Sequence, residues 1–509
     1  MLLLSFAFFL FAATLKSQYS GNYFVSDTSF FKTFSQVADS LISQGVDGML
    51  TFQVLPGVYE ERITLENISG TGQSSQVIFK SHFGDSTQVI LTDSCHVDSN
   101  FVIRMGAGCS YFNFEGITIK STGETYGRVV FLDQYPQHIR FSNCVLTGIY
   151  SSPASNYSDR HLVFSSAAYI DYLTFENNLF EYGATALYLH GNNNGDGEIL
   201  GISISNNQFK ELGYQGILMH NPVAPIITGN TIQCYDDGIA IGTAYVTATI
   251  TNNKIYAEDV GISLTTGGVF SPNALIANNF IHLGDNANRG ISFGGGSGAV
   301  DIFHNTIITT ESYYGNYGIY FGSNSLIPRF RVKNNIIACM NGGSPYYIYG
   351  LAEINEMDYN AYYTPGNFFA FDLEYSWLFN LQDFTDSTGF DEHSYMAYPY
   401  FMSDTNLHAK TSWFNNRGTP LADVTHDIDG EARDGTFPDI GADEYTPEIE
   451  AMFSGSYTIG SGGHFSNIEQ AIDSLKLKGV SANVSLEFLD GEYLVKSKIP
   501  AFSGAIDGS

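Results

Sequence analysis

Ile204-Ser-Asn-Asn-Gln-Phe209, Ile227-Thr-Gly-Asn-Thr-Ile232, Ile250-Thr-Asn-Asn-Lys-Ile255 and Ile276-Ala-Asn-Asn-Phe-Ile281 are four versions of one six-residue phrase. Each has an apolar residue at both ends and an asparagine in fourth place. The phrase continues in both directions, as Phe175-Glu-Asn-Asn-Leu-Phe180 before and as Ile302-Phe-His-Asn-Thr-Ile307 and Val332-Lys-Asn-Asn-Ile-Ile337 after, with degenerate copies at 114–119 and 141–146. The fourth-place residues Asn178, Asn207, Asn230, Asn253, Asn279, Asn305 and Asn335 follow one another at intervals of 23 to 30 residues. A second phrase, glycine-isoleucine-any-apolar, comes eight to thirteen residues after the ladder asparagine, at Gly216, Gly238, Gly261, Gly290 and Gly318.

These are short strands separated by turns. A period in the twenties with several strands per repeat and no helical pattern inside it predicts a parallel β-solenoid, whose coils stack at the ~4.8 Å strand spacing. A propeller would need four strands per blade in repeats of about 40 residues. An asparagine at one turn position can hydrogen-bond to its copies in the coils above and below, and it tolerates a left-handed backbone.

Outside the repeat, residues 20–59 match residues 454–493 without gaps. Ser20-Gly21, Tyr23, Phe31, Gln36, Asp39-Ser40-Leu41, Gly45-Val46, Gly57 and Tyr59 meet identical residues from Ser454 to Tyr493. Both stretches hold a short amphipathic helix, capped by Thr33 or Asn467 with a glutamine three residues on and ended by Gly45 or Gly479. A second module therefore begins near Ser454, and a longer multi-module chain is expected.

The whole chain has 509 residues and a formal charge of −30, with 15% charged residues, 39 Phe, 33 Tyr and 52 Gly. Nucleic acid is excluded as a partner by the shortage of cations, and an acidic polysaccharide meets the same objection unless Ca²⁺ bridges the two. Residues 2–13 are an apolar run of signal-peptide length, read as an export signal although the basic leading segment is missing. No later stretch reaches the roughly 18–20 apolar residues of a membrane span. Cys95, Cys109, Cys144, Cys234 and Cys339 show no zinc spacing; most are expected to be buried free thiols, and Cys95–Cys109 is a candidate disulfide.

On these motifs the chain resembles right-handed parallel β-helix proteins of the pectin-lyase-like superfamily, in particular exported multi-module bacterial proteins of Bacteroidetes type. The segment from Asp358-Tyr-Asn through Asp427-Ile-Asp-Gly-Glu-Ala-Arg433 to Asp439-Ile-Gly-Ala-Asp-Glu444 looks like the closing element of that family, in which His393 and His408 are structural. The expected organisation is a signal peptide (1–17), N-terminal cap and first coils (18–110), β-helix coils (111–340), closing segment (341–445), linker (446–453) and the start of a second module (454–509). The resemblance implies a secreted or cell-surface location.

Enzymes of the superfamily carry their sites on the outside of one strand ladder. If Ile217, Ile239, Ile262, Ile291 and Ile319 point inward, Tyr188, Leu218, Ala240, Ser263, Ser292 and Tyr320 form one outward column. The next column reads Asp133, Ser165, His190, His220, Gly242, Thr265, Gly294 and Gly322. His190 and His220 then sit on adjacent coils as acid/base candidates, with Tyr188 as a partner able to protonate a leaving sugar oxygen. Asp236, Asp237, Glu258 and Asp259 occupy equivalent turns and are candidate Ca²⁺ ligands.

Against catalysis, the nearest repeat-aligned cation is Arg289, three coils from His220, and the sequence shows no aspartate cluster of the polygalacturonase kind. Asp427-x-Asp-Gly lacks the remaining ligands of a calcium loop, so an Asp-to-Arg433 pairing is expected there. The leading expectation is a glycan-binding or adhesive scaffold acting on extracellular polysaccharide or cell-surface glycan. The alternative is a polysaccharide lyase or glycoside hydrolase.

Overall fold

The computed structural model describes residues 18–165, 169–191, 198–244, 247–266, 273–284, 289–295, 298–310, 315–322, 329–372, 376–403, 405–447 and 453–493. The expected signal peptide, most of the linker and the end of the second module lie outside these residues.

Between Tyr19 and Met396 the described strands form three sheets of thirteen strands each and one of two strands, Ile199–Leu200 with Pro222–Val223; from Val46–Val54 to Ala370–Asp372 the chain visits the three large sheets in turn. One coil places Ser203–Ser205 in the first sheet, Gln208–Leu212 in the second and Ile217–His220 in the third; the next places Ile226–Thr228, Thr231–Cys234 and Ile239–Ala244 in the same order, each strand pairing in parallel with its predecessor. One pairing within the three sheets is antiparallel, Ala370–Asp372 with Ser376–Leu378. The result is the all-β parallel β-helix that the repeat predicts. Among the described residues no helix is long and apolar enough to cross a membrane.

The interior is a set of columns, because parallel in-register pairing places like residues above one another. Phe52, Phe79, Phe114, Phe141 and Phe175 stack down the first sheet with centroids 5.1–5.7 Å apart. The column continues as Ile204, Ile227, Ile250 and Ile276. Helix α1 (Phe34–Gln44) closes the N-terminal end with Phe34, Val37, Ala38 and Leu41 buried, its Phe34 ring stacked on Phe79 at 5.4 Å. Thr33 caps it as expected, accepting from the Gln36 amide. Helix α2 (Leu381–Thr388) lies at the other end, where its buried Phe384 packs on Phe369 at 5.4 Å.

The asparagine ladder is continuous. The backbone N–H and Nδ2 of each ladder asparagine donate to Oδ1 of the next, as between Asn207 and Asn230 (2.9 and 3.0 Å) and between Asn253 and Asn279 (3.0 and 3.0 Å). It extends one coil beyond the readable repeat, to Asn360, which donates to Asp391. The two properties assigned to one asparagine belong to two residues. The left-handed backbone is taken by the preceding position, Asn177, Asn206, Gly229, Asn252, Asn278, His304 or Asn334, while the ladder residue makes the stacked bonds. The glycine of the second phrase has a steric cause: a Cβ on Gly238 would lie 2.4 Å from Ile255 Cγ2 and 2.7 Å from the Gly261 carbonyl oxygen.

The closing segment runs back along the outside of those turns. Asn252 donates to the Asp427 carbonyl (3.0 Å), Asn278 to that of His426 (2.7 Å) and Asn334 to that of Thr419 (2.7 Å). His393 pairs with Asp358 at 2.8 Å and His408 with Asp429 at 2.6 Å, so both fasten this segment. Arg433 corrects its expectation: it pairs with Glu444 at 3.3 Å and donates to Asn278, whereas Asp427 accepts from the amides of Asp429, Glu431 and Glu444. The candidate disulfide is also corrected, since Cys95 and Cys109 are buried free thiols like the other three.

In the stretch 454–493 that repeats residues 20–59, α3 (Ile468–Lys478) is capped by Asn467, and Tyr493 donates to the carbonyls of Ile459 and Leu489. Tyr59 makes the same bonds, to Val25 and Leu55. Conserved local geometry at both ends of 446–453 leads us to expect limited proteolysis of the chain to cut in that stretch and leave 18–445 intact. Preferred cutting within the coils would contradict the two-module organisation.

Candidate functional site

The outer face of the third sheet carries one residue per coil in strict register. Phe131, Phe164, Tyr188, Leu218, Ala240, Ser263, Ser292, Tyr320, Tyr347 and Phe371 pair in that order. The column is aromatic at both ends; between Tyr188 and Tyr320 it holds Leu218, Ala240, Ser263 and Ser292, of which Ala240 and Ser292 are buried. The rings stack: Phe164 on Tyr188 at 5.3 Å, Tyr320 on Tyr347 at 4.6 Å and Tyr347 on Phe371 at 5.0 Å. Arg128 covers Phe164 at 3.8 Å and Arg289 covers Tyr320 at 3.6 Å, in cation–π contact. From Tyr188 to Tyr320 is five coil steps, about 24 Å at the usual strand spacing. Leu218, Ala240, Ser263 and Ser292 are shorter than the rings on either side of them, which makes this stretch a candidate trough between two aromatic walls.

His190 and His220 are register partners, with ring centroids 4.6 Å apart and planes at 46°. Nδ1 of His190 lies 2.6 Å from the Gly191 carbonyl oxygen. Burial, and then the neighbouring His190, holds His220 below the ordinary histidine range. Tyr188 stacks against His161 at 4.8 Å and lies 6.2 Å from the His190 ring. The structure thus brings the three predicted residues together. It removes Ser165 from their column: Ser165 pairs with Leu132 and is buried, because the outward phase of that strand falls on Phe164. Asp133 is held by Arg104 at 2.5 Å.

The lowered His220 pKa fixes a pH dependence. Below the ordinary value near 6.5 the unfolded chain takes up a proton that native His220 resists, so stability is lost as pH falls from that value through the lowered one. His220→Gln is expected to reduce the fall in urea midpoint between pH 7.5 and pH 5. An unchanged fall would mean that His220 is not buried against a second imidazole.

At the opposite edge of the third sheet, the turns before Ile239–Ala244 and Val260–Thr266 bring Asp236, Asp237 and Asp259 together, with one carboxylate oxygen of each lying within 4.8 Å of the others. The sequence separation of these residues hides the cluster. Burial, then Asp236 and Asp259, pushes Asp237 up to about 7; burial, then Asp236, pushes Tyr214 up to about 12. Gln215 donates to Asp237 at 3.0 Å. Tyr214, Gln215 and Arg289 belong to this site and carry no motif of their own. Five residues separate Asp237 from Gly242, the register partner of His220, so the acidic turn and the histidine pair are about 16 Å apart along the strand and form separate sites.

Glu258 leaves the predicted set. Its carboxyl group lies over Gly284, where a Cβ would come within 2.4 Å of it, and it lines a cleft of about 580 Å³ on the second sheet with Glu211, Tyr235, Tyr256 and His282. Thr405 of the closing segment accepts the Tyr256 hydroxyl at 2.6 Å on the rim.

Residues 161–340 match the family model of a right handed beta helix region. The chain is a right-handed parallel β-helix. No curated protein matches it. Among solved structures, the Dettilon tailspike protein is similar at 14% identity and a TM-score of 0.37, over 74% of this chain and 69% of that one. The GH136 lacto-N-biosidase of Eubacterium ramulus is similar at 11% identity and a TM-score of 0.37, over 74% of this chain and 67% of that one.

Proposed function

We propose that this β-helix is an exported protein that holds a glycan along the outer face of its third sheet. The observation that carries the reading is the column from Phe131 to Phe371, in which Leu218, Ala240, Ser263 and Ser292 are bracketed by stacked aromatic rings. A sugar ring has an apolar C–H face that packs on an aromatic ring and a hydroxyl edge that needs polar partners; Ser263 and Arg289 supply the latter. The formal charge of −30 favours a neutral glycan over a polyanionic one. Tandem modules fit an adhesive role at a bacterial surface, because each added module raises valency.

The contact between His190 and His220 favours a second reading, a polysaccharide lyase or glycoside hydrolase using these two groups and Tyr188. One experiment separates the two. The chain is screened against a glycan panel while binding and the release of unsaturated or reducing ends are recorded together. Binding without release supports the scaffold, release abolished by His190→Ala or His220→Ala supports the enzyme, and neither binding nor release overturns both.

A further inference from the structure

We propose that the acidic turn at the edge of the third sheet is a divalent-cation site, held by Asp236, Asp237, Asp259 and the side-chain carbonyl of Gln215, with Ca²⁺ as the ion of matching size. The proposal does not depend on glycan binding.

Three observations meet there. Asp236 and Asp237 lie on one coil and Asp259 on the next, and the parallel register of Ile239 with Ile262 fixes the two turns against each other. A Ca²⁺ ion takes oxygen ligands at about 2.3–2.6 Å, so any two ligands of one ion lie no more than roughly 4.6–5.2 Å apart; the three carboxylate oxygens, within 4.8 Å of one another, fall inside that limit. The second observation is Gln215, which is 6% exposed. Its Nε2 donates to Asp237, while Oε1 of the same planar amide head is buried without a hydrogen-bond partner. A buried carbonyl oxygen on an amide head already bonded to Asp237 is a hard donor of the kind Ca²⁺ takes, and leaving it unpaired is costly.

The third observation is the local charge balance. Arg289 is the cation felt by Asp237, but its guanidinium is engaged over the Tyr320 ring and donates from Nη1 to Ser292 at 3.2 Å. The other acidic group with metal-like spacing, His408, Asp429 and Asp443, is different: His408 and Lys254 both pair with Asp429, at 2.6 and 3.4 Å. That group is accounted for by its own ion pairs and serves as the control.

The test uses the full chain after dialysis against chelator, with Ca²⁺ titrated by calorimetry and Tb³⁺ by its tyrosine-sensitised emission. One saturable site is expected, with at least tenfold weaker Ca²⁺ binding in Asp237→Asn and in Asp259→Asn and unchanged binding in Asp429→Asn. The melting temperature of the wild type should rise with Ca²⁺, because an ion that binds the native state stabilises it. Far-UV circular dichroism checks each variant, and Asp259→Asn decides if Asp237→Asn does not fold. No saturable binding overturns the proposal, as does wild-type affinity in both site variants or a loss confined to Asp429→Asn.

Discussion

Asn253→Leu is expected to cost about 3 kcal/mol or more of stability, as four buried groups lose a hydrogen bond and each one left unpaired costs roughly 1–3 kcal/mol. Asn253 has no exposed surface. Its Oδ1 accepts from Asn230 N and Nδ2 at 3.0 and 2.9 Å, and its Nδ2 donates to the Ile227 carbonyl and to Asn279 Oδ1. Leucine has a similar size but removes both the donor and the acceptor, so the damage falls on the coils at 226–234 and 275–283. The neighbouring Asn252 supplies the contrast. It has a left-handed φ of 58°, and Gly229 occupies the equivalent place one coil earlier, so Asn252→Gly should lose little beyond its bond to the Asp427 carbonyl. Denaturant unfolding with hydrogen exchange of the two coils measures both variants. An unchanged midpoint for Asn253→Leu would show that the stacked amides do not hold the coils.

Removing both walls of the third-sheet trough is expected to have the largest effect on binding. A buried aromatic anchor is commonly worth about 2 kcal/mol or more in recognition, roughly thirtyfold in affinity. Tyr188 and Tyr320 are five coils apart, too far to share contacts, so their losses should add. Tyr188→Ala/Tyr320→Ala should therefore weaken the strongest panel glycan by a few hundredfold or more while the circular dichroism spectrum keeps its β-helix form, since both rings lie on the outside of the sheet; the lost stacking on Phe164, His161 and Tyr347 lowers the melting temperature without unfolding the coils. Tyr256→Ala, in the second-sheet cleft, should leave affinity unchanged. The reverse pattern would move the site to that cleft.

Much of this face is legible in the sequence because the glycine-isoleucine phrase fixes the phase of each strand. Ile217, Ile239, Ile262, Ile291 and Ile319 are all buried, and the residues after them form the predicted column. Where the phrase is missing the phase has to be guessed. Ser165 was placed one residue out of step, and Tyr347 and Phe371, which follow no Gly-Ile pair, could not be joined to Tyr320. The acidic turn illustrates a different limit. Spacing puts Glu258 beside Asp259 in an equivalent turn, but the turn sends adjacent side chains to opposite sides, Asp259 toward Asp236 and Asp237 and Glu258 over Gly284. Gln215 and Tyr214 join the cluster through coil stacking alone, and a local motif cannot reveal that. The closing segment was recognisable as a unit, whereas its packing along Asn252, Asn278 and Asn334 depends on side chains more than 80 residues away in the chain.

The most direct test of glycan binding on the third sheet is hydrogen exchange of the chain with and without the strongest panel glycan. Protection is predicted in Leu187–His190, Ile217–His220, Ile239–Ala244, Val260–Thr266, Arg289–Phe293 and Tyr317–Phe321, with the first and second sheets unchanged. Protection confined to the second-sheet strands Gln208–Leu212, Thr231–Cys234 and Lys254–Ala257, or no glycan bound at all, would contradict it.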